Sequence, residues 1–313
     1  MRFLEKSGHK IRRIAAAAAG LAFAGIIFTA CGTMHKFETT DPSLLISAED
    51  LAEQMGKDGV VIVDMQSEED YAMGHFEGAV NITSSDIVIN VPVPNMLTSK
   101  KKIAEVMGKN GISNDSTVLV YDSDKMSAAR LLWSLWMYGF DNVRVVNGGI
   151  KAIKALELPL TSEFPTVEPA EFTPGEPTGE WLASMKDVRA QVDEPMEGVT
   201  LLDVRSDEEY LTEGKIPTAI MRNYTEDFYA DGSFKSKGIT RVNYVESGVF
   251  PEDEIIIYCK SSFRAAASFL ALYEAGYRNI KIYDGAYLEW TGNGNNPIDM
   301  PAGAALPTKS DAS

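Results

Sequence analysis

The stretch Ile255-Ile256-Ile257-Tyr258-Cys259-Lys260-Ser261-Ser262-Phe263-Arg264-Ala265-Ala266-Ala267-Ser268-Phe269-Leu270-Ala271-Leu272-Tyr273 decides how this 313-residue sequence reads. Four β-forming residues run straight into a cysteine, and a short loop follows that ends in an arginine. Beyond it, Ala265, Ala266, Ala267, Phe269, Leu270 and Leu272 form the apolar stripe of a helix. The pattern predicts a buried strand, a tight loop and a helix N-terminus, with Cys259 at the strand's end. Loop amides and the positive end of the helix dipole then converge on one sulfur. Lys260 and Arg264 add two cations, which favours the thiolate, and a thiolate is a nucleophile. The alternative is a buried structural cysteine, for which two adjacent cations would have no use.

Working outward, the chain repeats itself. Val61-Ile62-Val63-Asp64-Met65-Gln66-Ser67-Glu68-Glu69-Asp70-Tyr71 resembles Leu201-Leu202-Asp203-Val204-Arg205-Ser206-Asp207-Glu208-Glu209-Tyr210, at an offset of 139. Val118-Leu119-Val120-Tyr121-Asp122 resembles Ile255 to Cys259, at an offset of 137. Similar words close each unit, Val145-Val146-Asn147-Gly148-Gly149 and Ile282-Tyr283-Asp284-Gly285-Ala286. Strands alternating with helices at this spacing imply a parallel sheet with helices on both faces. The reading is two α/β domains, 41–160 and 181–300, joined by a proline-rich connector over 161–180 that runs extended over the surface. The tail over 301–313 is small and polar, and disorder is expected there. In the second unit a longer polar stretch runs from Met221 to Thr240, at the sheet edge where pockets are usually built.

At the N-terminus a basic segment from Arg2 to Arg13 precedes an apolar run, Ile14 to Ala30, that is short for a membrane span. It ends Phe28-Thr29-Ala30-Cys31-Gly32, which resembles a bacterial lipoprotein signal over residues 1–30. That resemblance implies a lipidated Cys31, a tether over 31–40 and a folded part exported outside the cytoplasmic membrane. An uncleaved anchor helix is the other reading. Net charge is −16, and removal of the first thirty residues, which carry +4, leaves −20. So acidic a body is a poor nucleic-acid binder. With two cysteines in unrelated contexts and His9, His35 and His75 scattered, no disulfide framework or metal site is expected.

A tandem α/β repeat with Asp203-Val204-Arg205 after an early strand, Cys259 to Arg264 after a late one, and a closing Asp284-Gly285 with Glu289-Trp290 resembles the rhodanese family. Its members are thiosulfate and 3-mercaptopyruvate sulfurtransferases. The likeness covers nearly all of 41–298 and is nearest to exported thiosulfate sulfurtransferases, whose loop reads Cys-Gly-Thr-Gly-Trp-Arg-Ala. Here Lys260 and Ser262 replace the two glycines, and Thr218 stands where Gly214-Lys215-Ile216-Pro217 would usually continue with glycine.

The resemblance implies a catalytic second copy and a silent first one. Asp122 stands where Cys259 does, Ser127 where Arg264 does, and a carboxylate cannot carry sulfur. The first copy is expected to wall the pocket and to stabilise the pair. In the implied reaction Cys259 takes the outer sulfur of thiosulfate, a small anionic donor, and sulfite departs. A thiol or cyanide then accepts sulfur from the persulfide, and neither metal nor organic cofactor is required. Stabilising the departing dianion calls for pre-organised cations and N–H donors. The expected substrate-binding set is Lys260, Ser261, Ser262, Phe263 and Arg264, together with Arg205. Asp203 and Arg205 form either a supporting buried ion pair or a substrate contact. Three rivals stay open: 3-mercaptopyruvate as donor, a cysteine-dependent phosphatase and a non-enzymatic surface-anchored binding or redox-sensing pair. Phosphatase loops carry five residues between Cys and Arg, against four here.

Overall fold

The computed structural model describes residues 41–302. The export signal, Cys31 and the tether expected over 1–40 lie outside the described residues, as does all but the start of the tail. The first half contains β1 (Leu45–Ile46), α1 (Ala48–Gln54), β2 (Val60–Asp64), α2 (Glu68–Met73), β3 (His75–Phe76), β4 (Val80–Asn81), β5 (Val88–Ile89) and β6 (Met96–Leu97). It continues with α3 (Lys100–Lys109), β7 (Thr117–Tyr121), α4 (Ser127–Met137), β8 (Val143–Val146), α5 (Gly149–Ala155) and β9 (Leu160–Thr161). The second half runs β10 (Leu182–Ala183), α6 (Met185–Asp193), β11 (Val199–Asp203), α7 (Asp207–Glu213), β12 (Ile220–Met221) and α8 (Lys237–Glu246). It closes with β13 (Glu254–Tyr258), α9 (Phe263–Glu274), β14 (Ile280–Tyr283) and α10 (Ala286–Gly292).

Each half builds a five-stranded parallel sheet, in the orders β1-β8-β7-β2-β4 and β10-β14-β13-β11-β12. The register sets Asp64 beside Tyr121 and Asp203 beside Tyr258. Two short antiparallel pairs, β3–β9 and β5–β6, complete the first half. Helix starts follow local rules: Ser67 and Ser206 cap α2 and α7 by accepting an amide three residues on. At α7 the cap is reciprocal, because the Glu209 carboxylate returns to the Ser206 amide.

Alternation along the strands decides which face each residue serves. In β7, Val118 and Val120 enter one core that also holds residues of the second half, while Leu119 and Tyr121 enter a separate outer core. In β13, Ile255, Ile257 and then Cys259 point into that shared core, and Ile256 and Tyr258 point outward into the second half's own. Cys259 and Asp122 therefore both lie on the inner face, toward the other half. Between the sheets α4 packs against α9, with Trp136 4.9 Å from Tyr273 and 6.1 Å from Phe269, centroid to centroid. No helix among the described residues is long and apolar enough to cross a membrane.

Candidate active site

Cys259 is buried at the C-terminal end of β13. The carbonyls of Cys259 and Lys260 accept the amides of Tyr287 (2.9 Å) and Leu288 (3.3 Å), so α10 ties down the outer side of the loop. Ser262 takes a left-handed backbone, φ +73°, at one position where glycine was expected, and its buried hydroxyl donates to the Asp284 carbonyl at 2.5 Å. Thr218 adopts the same region, φ +70°. Both departures from glycine thus keep the backbone that glycine would take, at a cost of order 1–2 kcal/mol each. Around the sulfur, the amides of Ser262, Arg264 and Ala265 find no acceptor among the described residues. They are donors left open in the loop that follows Cys259.

The cations around the loop are all engaged. Arg264 pairs through both terminal nitrogens with Glu209, at 2.5 and 2.8 Å. Burial alone would lower the guanidinium's affinity for its proton, but Glu209 and the neighbouring Cys259 sulfur raise it above its ordinary value. Burial pushes the Glu209 carboxyl up, and the Arg264 guanidinium and the Ser206 amide outweigh that and bring it down to about 2. Lys260 donates to both oxygens of Glu213, at 2.6 and 2.5 Å. Arg205 is fully buried, bound to Asp203 at 2.7 Å, to Glu213 at 3.2 Å and to the Gly214 carbonyl at 2.6 Å, with Tyr287 stacked 3.7 Å from its guanidinium carbon.

A pocket of about 560 Å³ opens over the sulfur. The second half supplies Cys259, Ser261, Phe263, Arg264 and Tyr224, and the first half supplies the facing wall with Ser85, Asn90, Asn95, Asp124 and Met126 among others. The structure thus brings Ser261, Phe263 and Arg264 of the six expected substrate-binding residues to the pocket beside Cys259, and leaves the other three elsewhere. Arg205 braces Asp203 and does not line the pocket. Lys260 does not line it either; its ammonium meets Glu213 at the end of α7. The Ser262 hydroxyl is spent on the Asp284 carbonyl. Asp203 lies buried against Arg205. His75, in β3, is buried in a stack on Tyr71, 3.7 Å between ring centroids.

Sequence reasoning missed the contributions from outside the motif. The Asn95 amide group donates to the Ser261 hydroxyl at 3.0 Å, and the Leu97 amide donates to Asp284 at 2.6 Å. Arg130 of α4, fully buried, pairs with Asp284 at 2.8 Å and donates to the Asn95 carbonyl at 2.9 Å. The first half thereby holds the Cys259 loop. No local signal marks these residues; an unpaired arginine in the apolar run of α4 was the only visible oddity.

Comparison with known proteins agrees with this geometry. The rhodanese-like domain family matches residues 47–156 and 184–293. A thiosulfate sulfurtransferase of Corynebacterium glutamicum is 30% identical over 88% of this chain and 95% of its own length. The sulfur carrier protein TtuD of Thermus thermophilus is 30% identical over 80% of this chain and 94% of its own. Among solved structures, that of YnjE superposes with a TM-score of 0.74 at 21% identity, over 82% of this chain and 68% of that one. A likeness at that identity speaks to the fold alone.

Proposed function

Because this chain belongs to the rhodanese family through both of its α/β halves, we propose that it is a sulfurtransferase working through a persulfide on Cys259, with thiosulfate as donor. One observation carries the reading: a cysteine at a strand end sits under unspent loop amides and beside Arg264, facing an open pocket. The Cys259 thiolate attacks the outer sulfur of thiosulfate. The bond between that sulfur and the sulfonate sulfur breaks, and sulfite leaves with the electron pair. Arg264 stabilises the departing dianion, and the amides of Ser262, Arg264 and Ala265 hold the anionic outer sulfur of the persulfide. A thiol or cyanide then attacks that sulfur, and the Cys259 thiolate returns. Ser261, held by Asn95, presents a hydroxyl at the pocket wall, and Phe263 an apolar edge.

The test is a cyanide-coupled assay with thiosulfate and with 3-mercaptopyruvate, run beside intact mass after donor treatment without acceptor. The expected result is thiocyanate formation and a mass gain of one sulfur atom that Cys259→Ser abolishes. A protein that gains no sulfur from either donor would overturn the reading. We also propose that the enzyme acts outside the cytoplasmic membrane on a lipidated Cys31. The basic and apolar leader that ends at that cysteine supports this, and two acyl chains suffice for stable anchoring. Cys31→Ser should move the protein out of the detergent phase; unchanged partitioning would count against the anchor.

A further inference from the structure

Helix α7 brings two carboxylates to the catalytic loop, and nothing in the sulfur-transfer chemistry uses them. Glu209 covers Arg264 through both of its terminal nitrogens, and Glu213 covers Lys260 while also touching Arg205. With Asp203 on Arg205, three cations meet three carboxylates. The site is electrically balanced before any donor arrives. Glu209 itself does not line the pocket; it stands behind Arg264, whose guanidinium lies between the carboxylate and the sulfur.

Thiosulfate and sulfate carry the same charge on nearly the same tetrahedron and differ by one sulfur for one oxygen. Attraction between bare charges cannot tell them apart. A loop with two free cations would hold sulfate or phosphate as readily as a donor, and neither has a sulfur to give. Directional N–H donors close to the sulfur, by contrast, favour a ligand that Cys259 can attack.

We propose that Glu209 is an internal counter-anion on Arg264 that weakens the hold of the Cys259 pocket on inorganic dianions such as sulfate, leaving the directional N–H donors to decide what stays. The inference rests on the sulfurtransferase reading for its meaning, while its main test does not depend on turnover. Glutamine at 209 retains the acceptor that closes the α7 cap on Ser206 and removes only the charge. A unit charge a guanidinium's breadth from a dianion, in a partly desolvated site, changes affinity by roughly tenfold or more.

The experiment compares wild type with Glu209→Gln, titrating sodium sulfate against sodium chloride at matched ionic strength. Two quantities are read: protection of Cys259 from alkylation by iodoacetamide, and inhibition of thiosulfate turnover. In the variant, sulfate should protect and inhibit at roughly tenfold lower concentration, and Arg264→Gln added to it should abolish the gain. Glu213→Gln should move both readouts the same way by less, and it keeps the test available if the first variant folds poorly. Equal sulfate sensitivity in wild type and both variants would overturn the proposal. So would a Glu209→Gln enzyme that loses turnover as Arg264→Gln does and gains no sulfate protection, which would make Glu209 a positioning residue only. A protein that transfers no sulfur fails the functional reading, yet its alkylation still reports whether sulfate enters the pocket.

Discussion

The Asp122 loop and the Cys259 loop are the same backbone put to opposite uses. Lys125 sits at φ +68° where Ser262 sits at +73°, and Gly149 at +56° where Ala286 sits at +55°. The Ile150 amide reaches the Asp122 carbonyl as the Tyr287 amide reaches that of Cys259, each at 2.9 Å. Across the interface the Phe234 amide binds the Asn147 side chain as the Leu97 amide binds Asp284. The donors part company. In the first loop Asp122 accepts the amides of Lys125 (3.2 Å) and Ala128 (2.9 Å), and Asp124 accepts those of Met126 and Ser127 at 2.8 Å each. Those of Lys125, Ser127 and Ala128 are the counterparts of the amides left open beside Cys259, while the Phe263 amide, opposite Met126, is spent on the Ser261 carbonyl at 3.1 Å. The Asp122 loop is an anion cradle filled by its own carboxylates, and the Cys259 loop leaves the matching donors open. Access differs too: Phe228 and Phe234 close the space beside Asp122 to a cavity of about 10 Å³, against about 560 Å³ over Cys259.

The largest effect that could break this comparison comes from moving the thiol. Cys259→Ser should reduce sulfur transfer by on the order of 10⁵-fold or more, as loss of a nucleophile does. Adding Asp122→Cys to that variant should not restore it, because the first loop lacks both a pocket and an arginine at Ser127. Sulfur loading at residue 122, read by intact mass, would show that cradle geometry alone suffices and that burial under Phe228 is no barrier.

Next in size is the interface that lets one half serve the other. Arg130→Met leaves Asp284 buried without its cation, an arrangement that costs about 3–5 kcal/mol. Thermal unfolding should shift down by several degrees, and Ser261, which Asn95 holds, should lose its support. Asp284→Asn should be milder, since the Leu97 amide keeps an acceptor. A pair of variants as stable as wild type would mean that the aromatic packing of Trp136 on Phe269 and Tyr273 carries the interface alone.

Arg264→Gln follows, with about 3 kcal/mol, or roughly 10²-fold, expected in thiosulfate turnover. Lys260→Gln should cost far less because its ammonium faces Glu213 and not the pocket. Equal losses from the two variants would restore Lys260 to the substrate-binding set.

Much of this was legible in the chain itself. The repeat, the parallel sheets and the position of Cys259 follow from hydrophobic period and from strand-loop-helix order, which are local properties. The Asp203–Arg205 ion pair was visible as one of two readings, because a two-residue spacing at a strand end places both groups together. What escaped is tertiary. Glu209 and Glu213 are four apart on one helix face, but nothing in α7 says that this face meets the catalytic loop. The same holds for Arg130 and Asp284, which pair with each other from opposite halves of the chain. Ser262 is placed by a contact of the same kind: at φ +73° its hydroxyl meets the carbonyl of Asp284, on a different strand end.

The smallest effect expected concerns how each half responds to pH. Burial, with the Asp124 carboxylate adding to it, pushes Asp122 up to about 7, and burial pushes Asp64 up to about 6 despite its bond from Tyr121. In the second half the buried Asp203 has Arg205 across it where Asp64 has only the neutral Gln66. The native first half therefore keeps protons that the unfolded chain releases near pH 4. Stability then falls as pH rises from about 4 to about 7, by at most about 1.4 kcal/mol per unit for each group, and levels off above that. Asp122→Asn cannot titrate, so the drop in melting temperature between pH 5 and pH 8 should shrink by a few degrees. The part due to Asp64 should remain, confined below about pH 6. Sulfur transfer at a fixed pH should change within a fewfold, since Asp122 touches neither the Cys259 loop nor its pocket. Parallel melting curves across that pH range in wild type and variant would show that the two amides bonded to Asp122, with the α4 dipole, keep its carboxylate ionised in spite of burial. The two cradles would then be alike in holding a full negative charge, one supplied by the chain and the other by the persulfide.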